Sequence, residues 1–528
     1  MLDLKISGGL VLDGGGTPAA RADVGIRGGR VAAVGDLRDE PATQSLDAQG
    51  LCVAPGFIDI HAHDDFNLLV NPAALGKVMQ GVTTVVNGNC GLSPAPVAPE
   101  RRDTLRDLSV ELDSGLDYGW RTMGEFLARQ PAAGVNACQL VGHHALRCAV
   151  MGMEDRAPSP RELEQMRALL AEGMEAGAFG LSTGLVGPPS SYAALDELVA
   201  LVEVAAGAGG GYFTHLRNEG AEVVQAIREA LEIGRRAPVP VQISHLKISN
   251  PDHWGIAGEL LTVIERARQG GVRVHCDQYP YTASSGGLRA RLPRWAQAGE
   301  REAILARLRD PAARERLRDE LNGGMARAGV SMRIYRWEDV LVGASPSRPE
   351  FVGLTLAQVA QREGQAPANA MLDLLLADGL ATMGIYFHMG EADVRRILVD
   401  PHVAVGSDGL YTGRPGEPDR TNPHPRHYGT FARVLGRYVR EEGVLALPEA
   451  VRKMTALPAD ILGLADRGRL RAGAAADVVM FDAATIIDQA TFAEPHRYPR
   501  GVHTVLVNGT AVVRQGRETG ATPGRVLR

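Results

Sequence analysis

The pattern of apolar and polar residues divides the chain into three stretches of different character. Residues 1–54 and 464–528 contain short alternating runs that are interrupted by glycine and show no helical period. At each end a pair of residues suited to a two-residue β-hairpin turn, Gly28–Gly29 or Asn508–Gly509, stands between two such runs. The pattern therefore predicts one small β-sandwich domain, formed in two parts by both termini around a different central stretch.

The central stretch, residues 55–463, alternates short apolar runs with longer segments of helical period. The runs that predict strands begin near residues 56, 83, 136, 178, 211, 239, 272 and 403. Residues 160–176 and 221–234 are helix candidates, and the second carries an apolar stripe close to the i, i+3, i+7 spacing. Eight strands with intervening helices suit a (β/α)8 TIM-like barrel of the α/β class, and a doubly wound sheet is the alternative.

One part of the predicted barrel is too long to be an ordinary connection between a strand and a helix. Residues about 283–352 follow the seventh predicted strand and include a charged helical segment. Connections of this length in a compact domain usually serve as lids or binding loops. We therefore expect an insertion that lies at the mouth of the barrel and restricts access to it.

Composition argues against several classes of partner. The net charge of −6 and the pI near 6.2 provide no basic field for nucleic acid or an anionic membrane. The first residues lack the apolar core of a signal peptide, and no run approaches the ~18 apolar residues of a membrane span. The 5 cysteines are widely spaced and odd in number, so we expect a reduced, cytoplasmic protein without a disulfide framework. The sequence leaves the oligomeric state open.

Two histidines separated by one residue follow the first strand of the central stretch. Because side chains alternate between the faces of a strand, His61 and His63 project to the same side, roughly 6.5–7 Å apart along it. Two imidazoles placed in this way can bind one metal ion. A single pair of this kind is a weak signal, and it gains weight from further candidate ligands at the ends of later strands.

Candidate metal ligands recur at the ends of the later predicted strands. Cys90 follows the second strand, His215 the fifth, His245 the sixth and Asp408 the eighth. Polar residues collected at the carboxyl ends of strands are typical of a barrel, whose active site is assembled there, so the barrel is favoured over the doubly wound sheet. Imidazole, thiolate and carboxylate are the ligands that zinc takes, and this set suffices for two metal positions.

Motifs along nearly the whole chain carry a family resemblance. They are GFIDIHAHDD, GNCG, THLRNEG, ISHLK, YPYTASS and VGSDG in the central stretch, and VLVNG near the C-terminus. In these motifs the chain resembles the amidohydrolase superfamily and, within it, the N-acyl-D-amino-acid deacylases, also called D-aminoacylases. Most amidohydrolases bridge two metals with a carboxylated lysine from strand four, where this chain has no lysine. The deacylases use a cysteine from strand two instead, and Cys90 matches it.

The resemblance implies an activity and a set of residues that perform it. The implied ligands are His61 and His63 for one metal, and Cys90, His215 and His245 for the other, with Asp408 beside the first. Asp408 would also act as the general acid and base. The implied cofactor is Zn²⁺, with one tight site and a second, weak one. The implied activity is zinc-dependent hydrolysis of the amide bond of N-acyl-D-amino acids, which releases a carboxylate and a free D-amino acid.

Further residues near the strand ends are candidates for contact with an N-acyl amino acid. Lys247 lies two residues beyond His245, on the same side of the chain, where its charge can oppose the substrate carboxylate. The remaining candidates follow the third and seventh strands and are His143, His144, Tyr279, Ser285 and Arg289.

Two other functions remain open at this stage. A cyclic amidase of the dihydropyrimidinase or hydantoinase type shares the predicted barrel but requires the bridging carboxylated lysine. A non-catalytic protein on the amidohydrolase fold would be expected to have lost several ligands, whereas this chain keeps the whole set.

Overall fold

The computed structural model describes residues 1–109, 115–324, 333–410 and 421–528. The strands are β1 (Leu2–Val11), β2 (Ala20–Arg27), β3 (Arg30–Gly35), β4 (Ala42–Asp47), β5 (Cys52–Pro55), β6 (Phe57–Asp59), β7 (Val82–Asn87), β8 (Asn136–Gln139), β9 (Val141–Gly142), β10 (Gly180–Gly184), β11 (Gly211–His215), β12 (Val241–Ile243), β13 (Val274–Gln278), β14 (Ser284–Gly287), β15 (Val340–Ala344), β16 (Met383–Tyr386), β17 (Val403–Val405), β18 (Val478–Phe481), β19 (Val502–Val507), β20 (Thr510–Arg514) and β21 (Arg517–Glu518).

The α-helices are α1 (Asn67–Val70), α2 (Leu75–Val78), α3 (Arg102–Leu108), α4 (Met123–Arg129), α5 (His143–Met151), α6 (Pro160–Glu175), α7 (Leu195–Gly207), α8 (Val223–Arg236), α9 (Ala257–Gln269), α10 (Arg294–Gln297), α11 (Arg301–Arg309), α12 (Pro311–Asp319), α13 (Leu356–Glu363), α14 (Pro367–Ala377), α15 (Glu391–Leu398), α16 (Arg426–Arg433), α17 (Leu447–Met454) and α18 (Ala456–Leu462).

Strands from both ends of the chain form one nine-stranded sheet. Its order is β21-β20-β19-β18-β5-β1-β2-β3, and β4 also pairs with β1. Gly28–Gly29 connects β2 to β3, and Asn508–Gly509 connects β19 to β20. All four turn residues have positive φ, as the hairpin turns predicted from these dipeptides require. The prediction that the two termini build one β domain is confirmed.

Eight parallel strand positions form the barrel in the order of the chain. One sheet runs β6-β7-β8 and the other β9-β10-β11-β12-β13-β17. Only Leu140 separates β8 from β9, so these two segments form one barrel position. The barrel closes between its first and last strands, where Asp408 N donates to His61 O (2.8 Å) and His63 N donates to Gly409 O (3.1 Å). The (β/α)8 barrel predicted from the pattern is confirmed.

The helices around the barrel form where the helical period predicted them. The side chain of Ser159 caps the first turn of α6, and Glu162 completes the capping box. Helix α8 buries an apolar stripe that includes Val223, Ile227 and Leu231 against the barrel core. Burial of such a stripe provides most of the stability of an amphipathic helix in a protein.

The insertion is a compact unit with its own sheet and core. Strands β14, β16 and β15 pair antiparallel in that order, and helices α11 to α14 pack their apolar faces into a separate core. The unit extends to Tyr386, beyond the predicted end near residue 352, because its central strand β16 comes last in the chain. The period of α13 and α14 resembles that of barrel helices, so the pattern alone did not separate the two. Part of the predicted insertion, residues 325–332, lies outside the described residues.

Across the described ranges, every helix is too short or too polar to traverse a lipid bilayer.

Candidate active site

Potential metal-binding side chains meet at the carboxyl ends of the barrel strands. Cys90 Sγ lies 3.3 Å from His61 Nε2 and 3.4 Å from His245 Nε2. Asp408 Oδ1 lies 3.1 Å from His63 Nε2 and 3.6 Å from His61 Nε2. The donor atoms of His61, Cys90, His245 and Asp408 all lie within 4.8 Å of one another. Tetrahedral zinc ligands at ~2.0–2.3 Å from the ion stand roughly 3.3–3.8 Å apart, so the separations of 3.3, 3.4 and 3.6 Å in this cluster are those expected between donor atoms that share an ion.

His215 and Glu219 extend the cluster on the side of His245. The imidazole centroids of His215 and His245 are 4.4 Å apart, and Glu219 lies 3.4 Å from His215 Nε2 and 2.9 Å from His245 Nδ1. His215, Glu219 and His245 form a second group of potential ligands. The ammonium of Lys247 already lies between two of them, 2.5 Å from Glu219 and 2.8 Å from His245 Nδ1. Glu219 therefore binds a lysine and orients an imidazole.

Three residues of the cluster have an unusual backbone conformation. Cys90, His245 and Asp408 have φ angles of 55°, 36° and 48°. Residues other than glycine rarely adopt this left-handed region, at a cost of about 1–3 kcal/mol each. Such residues concentrate at functional sites, and each of these three carries a donor atom of the cluster.

Buried carboxylates orient the imidazoles from outside the cluster. Asp277 Oδ1 lies 3.1 Å from His61 Nδ1 and also accepts the backbone N–H of His245 at 2.8 Å. Glu219 faces Nδ1 of His245 in the same way. A histidine whose Nδ1–H is bound by a carboxylate presents Nε2 to a metal. Nε2 is the atom that both His61 and His245 direct toward Cys90.

The cluster favours the ionised forms of its thiol and its carboxylate. Burial alone would raise the pKa of the Cys90 thiol, but the imidazoles of His61 and His245 hold this pKa well below its ordinary value. Burial also opposes ionisation of Asp408, yet the guanidinium of Arg426, 2.8 Å away, holds the pKa of this carboxyl well below its usual range. Thiolate and carboxylate are the forms that bind zinc, so the donor set fits this metal.

The cluster opens into a cavity of about 230 Å³. One wall is apolar and includes Leu92, Met153 and Val186, from the segments that follow β7, α5 and β10. The insertion also lines the cavity, with residues that include Ser285 and Arg291. Concave, partly apolar cavities with a few convergent polar groups are typical of small-molecule sites.

Lys247, Arg291 and Arg426 are buried cations in the wall of this cavity. Lys247 is paired with Glu219 and Arg426 with Asp408. Arg291 is only 2% exposed and lies over the ring of Tyr386 at 3.5 Å. In the part of the chain that the structure describes, no carboxylate pairs with Arg291, and its Nε and Nη1 atoms make no hydrogen bond.

Four of the residues predicted to contact a substrate line the cavity: His144, Lys247, Ser285 and Arg289. Burial lowers the pKa of His144 to about 3, so its imidazole is neutral. Arg289 donates to the backbone carbonyl oxygens of Asp107 (2.7 Å) and Leu108 (2.8 Å), and it thereby holds α3 against the cavity.

His143 and Tyr279 are placed differently from the prediction. Both imidazole nitrogens of His143 are engaged in the protein interior, by Ser190 Oγ at 2.8 Å and by Glu197 at 3.0 Å. Tyr279 is 1% exposed and supports the guanidinium of Arg426 from behind, 4.7 Å from its ring centroid. Position after a strand does not reveal which way a side chain points, and neither His143 nor Tyr279 is among the residues that line the cavity.

Several residues of the site were not singled out by sequence reasoning. Glu219 stands in the motif THLRNEG, and Asp277 lies near the end of the seventh predicted strand. Both could have been predicted, because histidines that bind a metal usually have a carboxylate partner. Lys77 belongs to helix α2, Arg291 to the insertion and Arg426 to the first turn of helix α16, and only the folded chain reveals that these elements approach the site.

The fold and the site together define a class of protein. A (β/α)8 barrel that collects histidine, cysteine and aspartate donors at the carboxyl ends of its strands is built for metal-dependent hydrolysis. The family model described as "Amidohydrolase family" matches residues 44–513, and the chain belongs to this family of hydrolases.

Comparisons with known proteins and solved structures show which members of this family the chain is similar to. It is 42% identical over 528 residues to the N-acyl-D-glutamate deacylase of Alcaligenes xylosoxydans xylosoxydans, covering 100% of this chain and 96% of that protein. The crystal structure of a D-aminoacylase matches with a TM-score of 0.83 at 38% identity and covers 100% of both chains. The N-acyl-D-glutamate deacylase of Bordetella bronchiseptica, complexed with zinc and a phosphonate inhibitor, matches with a TM-score of 0.83 at 37% identity, covering 100% of this chain and 99% of that one. The resemblance to the deacylases is confirmed.

Proposed function

We propose that this protein is a zinc-dependent deacylase of N-acyl-D-amino acids that have an acidic side chain. The observation that carries the acidic specificity is Arg291, a buried guanidinium in the cavity wall without a carboxylate partner among the described residues. The relatives that hydrolyse N-acyl-D-glutamate support both the reaction and the stereochemistry. The missing lysine in β10 argues against a cyclic amidase that needs a carboxylated lysine.

The proposed zinc ligands are those that the sequence indicated. His61 and His63 would hold one position, and Cys90, His215 and His245 the other. When bound, zinc polarises the scissile carbonyl and lowers the pKa of water.

Asp408 is the proposed proton carrier. Its carboxylate lies between His63 (3.1 Å) and Arg426 (2.8 Å), so it is held ionised and in place. In this state it accepts the proton of the attacking water and then delivers it to the nitrogen of the leaving amine. Proton transfer by a positioned side chain contributes roughly 10²–10⁴-fold to rate.

Two regions of the cavity wall are proposed to bind the two carboxylates of the substrate. Lys247 and Ser285 face the α-carboxylate, as expected from the sequence. Arg291 would face the side-chain carboxylate and form charge-assisted hydrogen bonds with it, since its Nε and Nη1 atoms have no hydrogen-bond partner among the described residues. A buried charge is costly without a partner, so an anionic ligand group satisfies this position best.

A substrate panel tests the proposal. The purified protein is assayed for bound zinc and then for hydrolysis of N-acetyl-D-glutamate, N-acetyl-D-aspartate, N-acetyl-D-leucine, N-acetyl-L-glutamate and dihydrouracil. We expect kcat/KM to be highest for an acidic D substrate, with a margin of at least about 100-fold over the D-leucine and L-glutamate derivatives. Preference for N-acetyl-D-leucine would contradict the acidic specificity, and activity confined to dihydrouracil would contradict the deacylase itself.

The proposed location is the cytoplasm. None of the five cysteines, Cys52, Cys90, Cys138, Cys148 and Cys276, forms a disulfide in the structure, which suits a reducing compartment.

A further inference from the structure

A buried lysine outside the proposed chemistry lies directly beneath the site. Lys77, on the short helix α2, is fully buried. Its ammonium donates to Asp59 Oδ2 at 2.8 Å, to Ser407 Oγ at 2.8 Å and to Gly409 O at 3.1 Å. A second carboxylate, that of Asp64, lies 3.4 Å away. The three hydrogen bonds use all three N–H groups of the ammonium.

Two of these acceptors flank Asp408 on either side along the chain. Asp408 itself has a φ of 48°, a conformation that a residue other than glycine keeps only when its surroundings fix it. Ser407 Oγ also accepts the backbone N–H of Gly409 at 3.1 Å, so the turn is bound to itself as well as to Lys77.

The same network joins this turn to the strand that carries the two histidines. Asp59, the last residue of β6, accepts from Ser407 N at 2.8 Å and from Ser407 Oγ at 2.5 Å. It also accepts the backbone N–H of His61 at 3.3 Å. Lys77 therefore neutralises the carboxylate that links the first and last strands of the barrel.

We propose that Lys77 is a positioning residue that holds the left-handed turn of Asp408, and with it the direction of the carboxylate. This inference rests on the proposed function, in which Asp408 carries the proton. A polar network in a low-dielectric interior is rigid when every member is satisfied. Misplacement of a catalytic group by about 1 Å costs on the order of 100-fold in rate.

The first test compares two buried lysines at opposite ends of the last barrel strand. Lys77→Met removes the ammonium near the site, and Lys453→Met removes one that donates to Asp400 O and Val403 O at the start of β17. We expect kcat of Lys77→Met to fall by about 100-fold with KM changed less than about threefold and with zinc content retained. Lys453→Met should lose thermal stability while its kcat stays within about threefold. Equal losses of kcat in the two variants at equal losses of Tm would overturn the proposal.

Lys77→Met leaves Asp59 and Asp64 buried without their counter-charge. If this variant does not fold, a second pair of variants tests the proposal. Ser407→Ala keeps all charges and removes the hydroxyl that Lys77 and Asp59 share. Its control is Ser345→Ala, which removes a buried hydroxyl bound to Asp378 in the insertion. We expect kcat to fall at least about tenfold in Ser407→Ala and to stay within about threefold in the control. A Ser407→Ala variant as active as its control would refute the inference.

Crystal structures of Ser407→Ala and of the wild type give a readout that does not depend on activity. We expect Asp408 to leave its φ near 48° and its carboxylate to move away from His63, from which it lies 3.1 Å in the native turn. An unchanged turn would overturn the proposal. A wild type that hydrolyses no member of the substrate panel would refute the proposed function instead, and the two crystal structures would still decide whether the network holds the turn.

Discussion

Replacement of Arg291 by methionine gives the sharpest test of the acidic specificity. Methionine preserves much of the apolar contact with Tyr386, whose ring lies 3.5 Å from the guanidinium, and removes only the charge and the donors. The side-chain carboxylate of an N-acyl-D-glutamate would then enter a buried wall without a counter-charge. An uncharged D-leucine side chain would meet no such penalty.

The expected magnitude follows from the burial of Arg291. Truncation of one partner of a buried, hydrogen-bonded charge pair costs about 2–5 kcal/mol. Because Arg291 is only 2% exposed, solvent provides little screening, and we take ~3–4 kcal/mol as the loss for the acidic substrate. At 1.36 kcal/mol per factor of ten, kcat/KM for N-acetyl-D-glutamate should fall by roughly 10²–10³-fold.

The assay compares kcat/KM for N-acetyl-D-glutamate and N-acetyl-D-leucine in the same variant. We expect the value for the leucine derivative to stay within about threefold of the wild type, so that the preference for glutamate disappears. Arg294→Met is the matched control, because Arg294 is an exposed arginine three residues later whose guanidinium pairs with Asp155. Equal losses for both substrates in Arg291→Met would refute the reasoning, since they would assign Arg291 to the general architecture of the cavity.

Three further predictions concern the metal cluster. Cys90→Ala should lose zinc and activity together. The control Cys148→Ala, which removes a buried thiol elsewhere, should keep both. A full zinc complement in Cys90→Ala would show that the thiolate is not a zinc ligand. Asp408→Asn should lower kcat by roughly 10²–10⁴-fold at nearly constant KM. A loss of tenfold or less with zinc still bound would show that another residue transfers the proton. Glu219→Gln should weaken zinc binding about 10–100-fold in chelator competition, because the glutamine cannot hold His245 as the carboxylate does; unchanged affinity would contradict this role.

The barrel and the proposed metal ligands could be anticipated because both follow from simple periodicities. Parallel strands in a barrel direct their carboxyl ends to one face. Residues that follow successive strands therefore lie close together, regardless of the length or packing of the helices between the strands. His61, Cys90, His245 and Asp408 are close together for this reason. The extent of the insertion was predicted less well, because its last strand follows helices whose period matches that of the barrel helices.

Residues that reach the site from outside the strand ends could not be anticipated in the same way. Arg291 belongs to the insertion and Lys77 to the short helix α2 between β6 and β7, and neither position has a periodicity that indicates its target. His143 shows the converse case, since it follows a strand as the proposed ligands do and yet turns into the interior toward Ser190 and Glu197. The direction of a side chain after a strand end depends on the turn that follows, which the apolar pattern does not specify.

The charges around the cavity explain why Arg291 is the cation that we propose for the side-chain carboxylate of the substrate. Lys247 is paired with Glu219, the carboxylate that orients His245, so its proposed contact with the α-carboxylate must be made while this pair is kept. Arg426 is likewise paired with Asp408, the proposed proton carrier. Both of these cations therefore serve the geometry of the cluster in the absence of substrate. Arg291 contacts the aromatic ring of Tyr386 and pairs with no carboxylate in the described part of the chain. A substrate carboxylate that binds Arg291 would therefore break no ion pair of the cluster. In the proposed function, specificity for the side chain and the machinery for hydrolysis are therefore separable, because different cations would carry them.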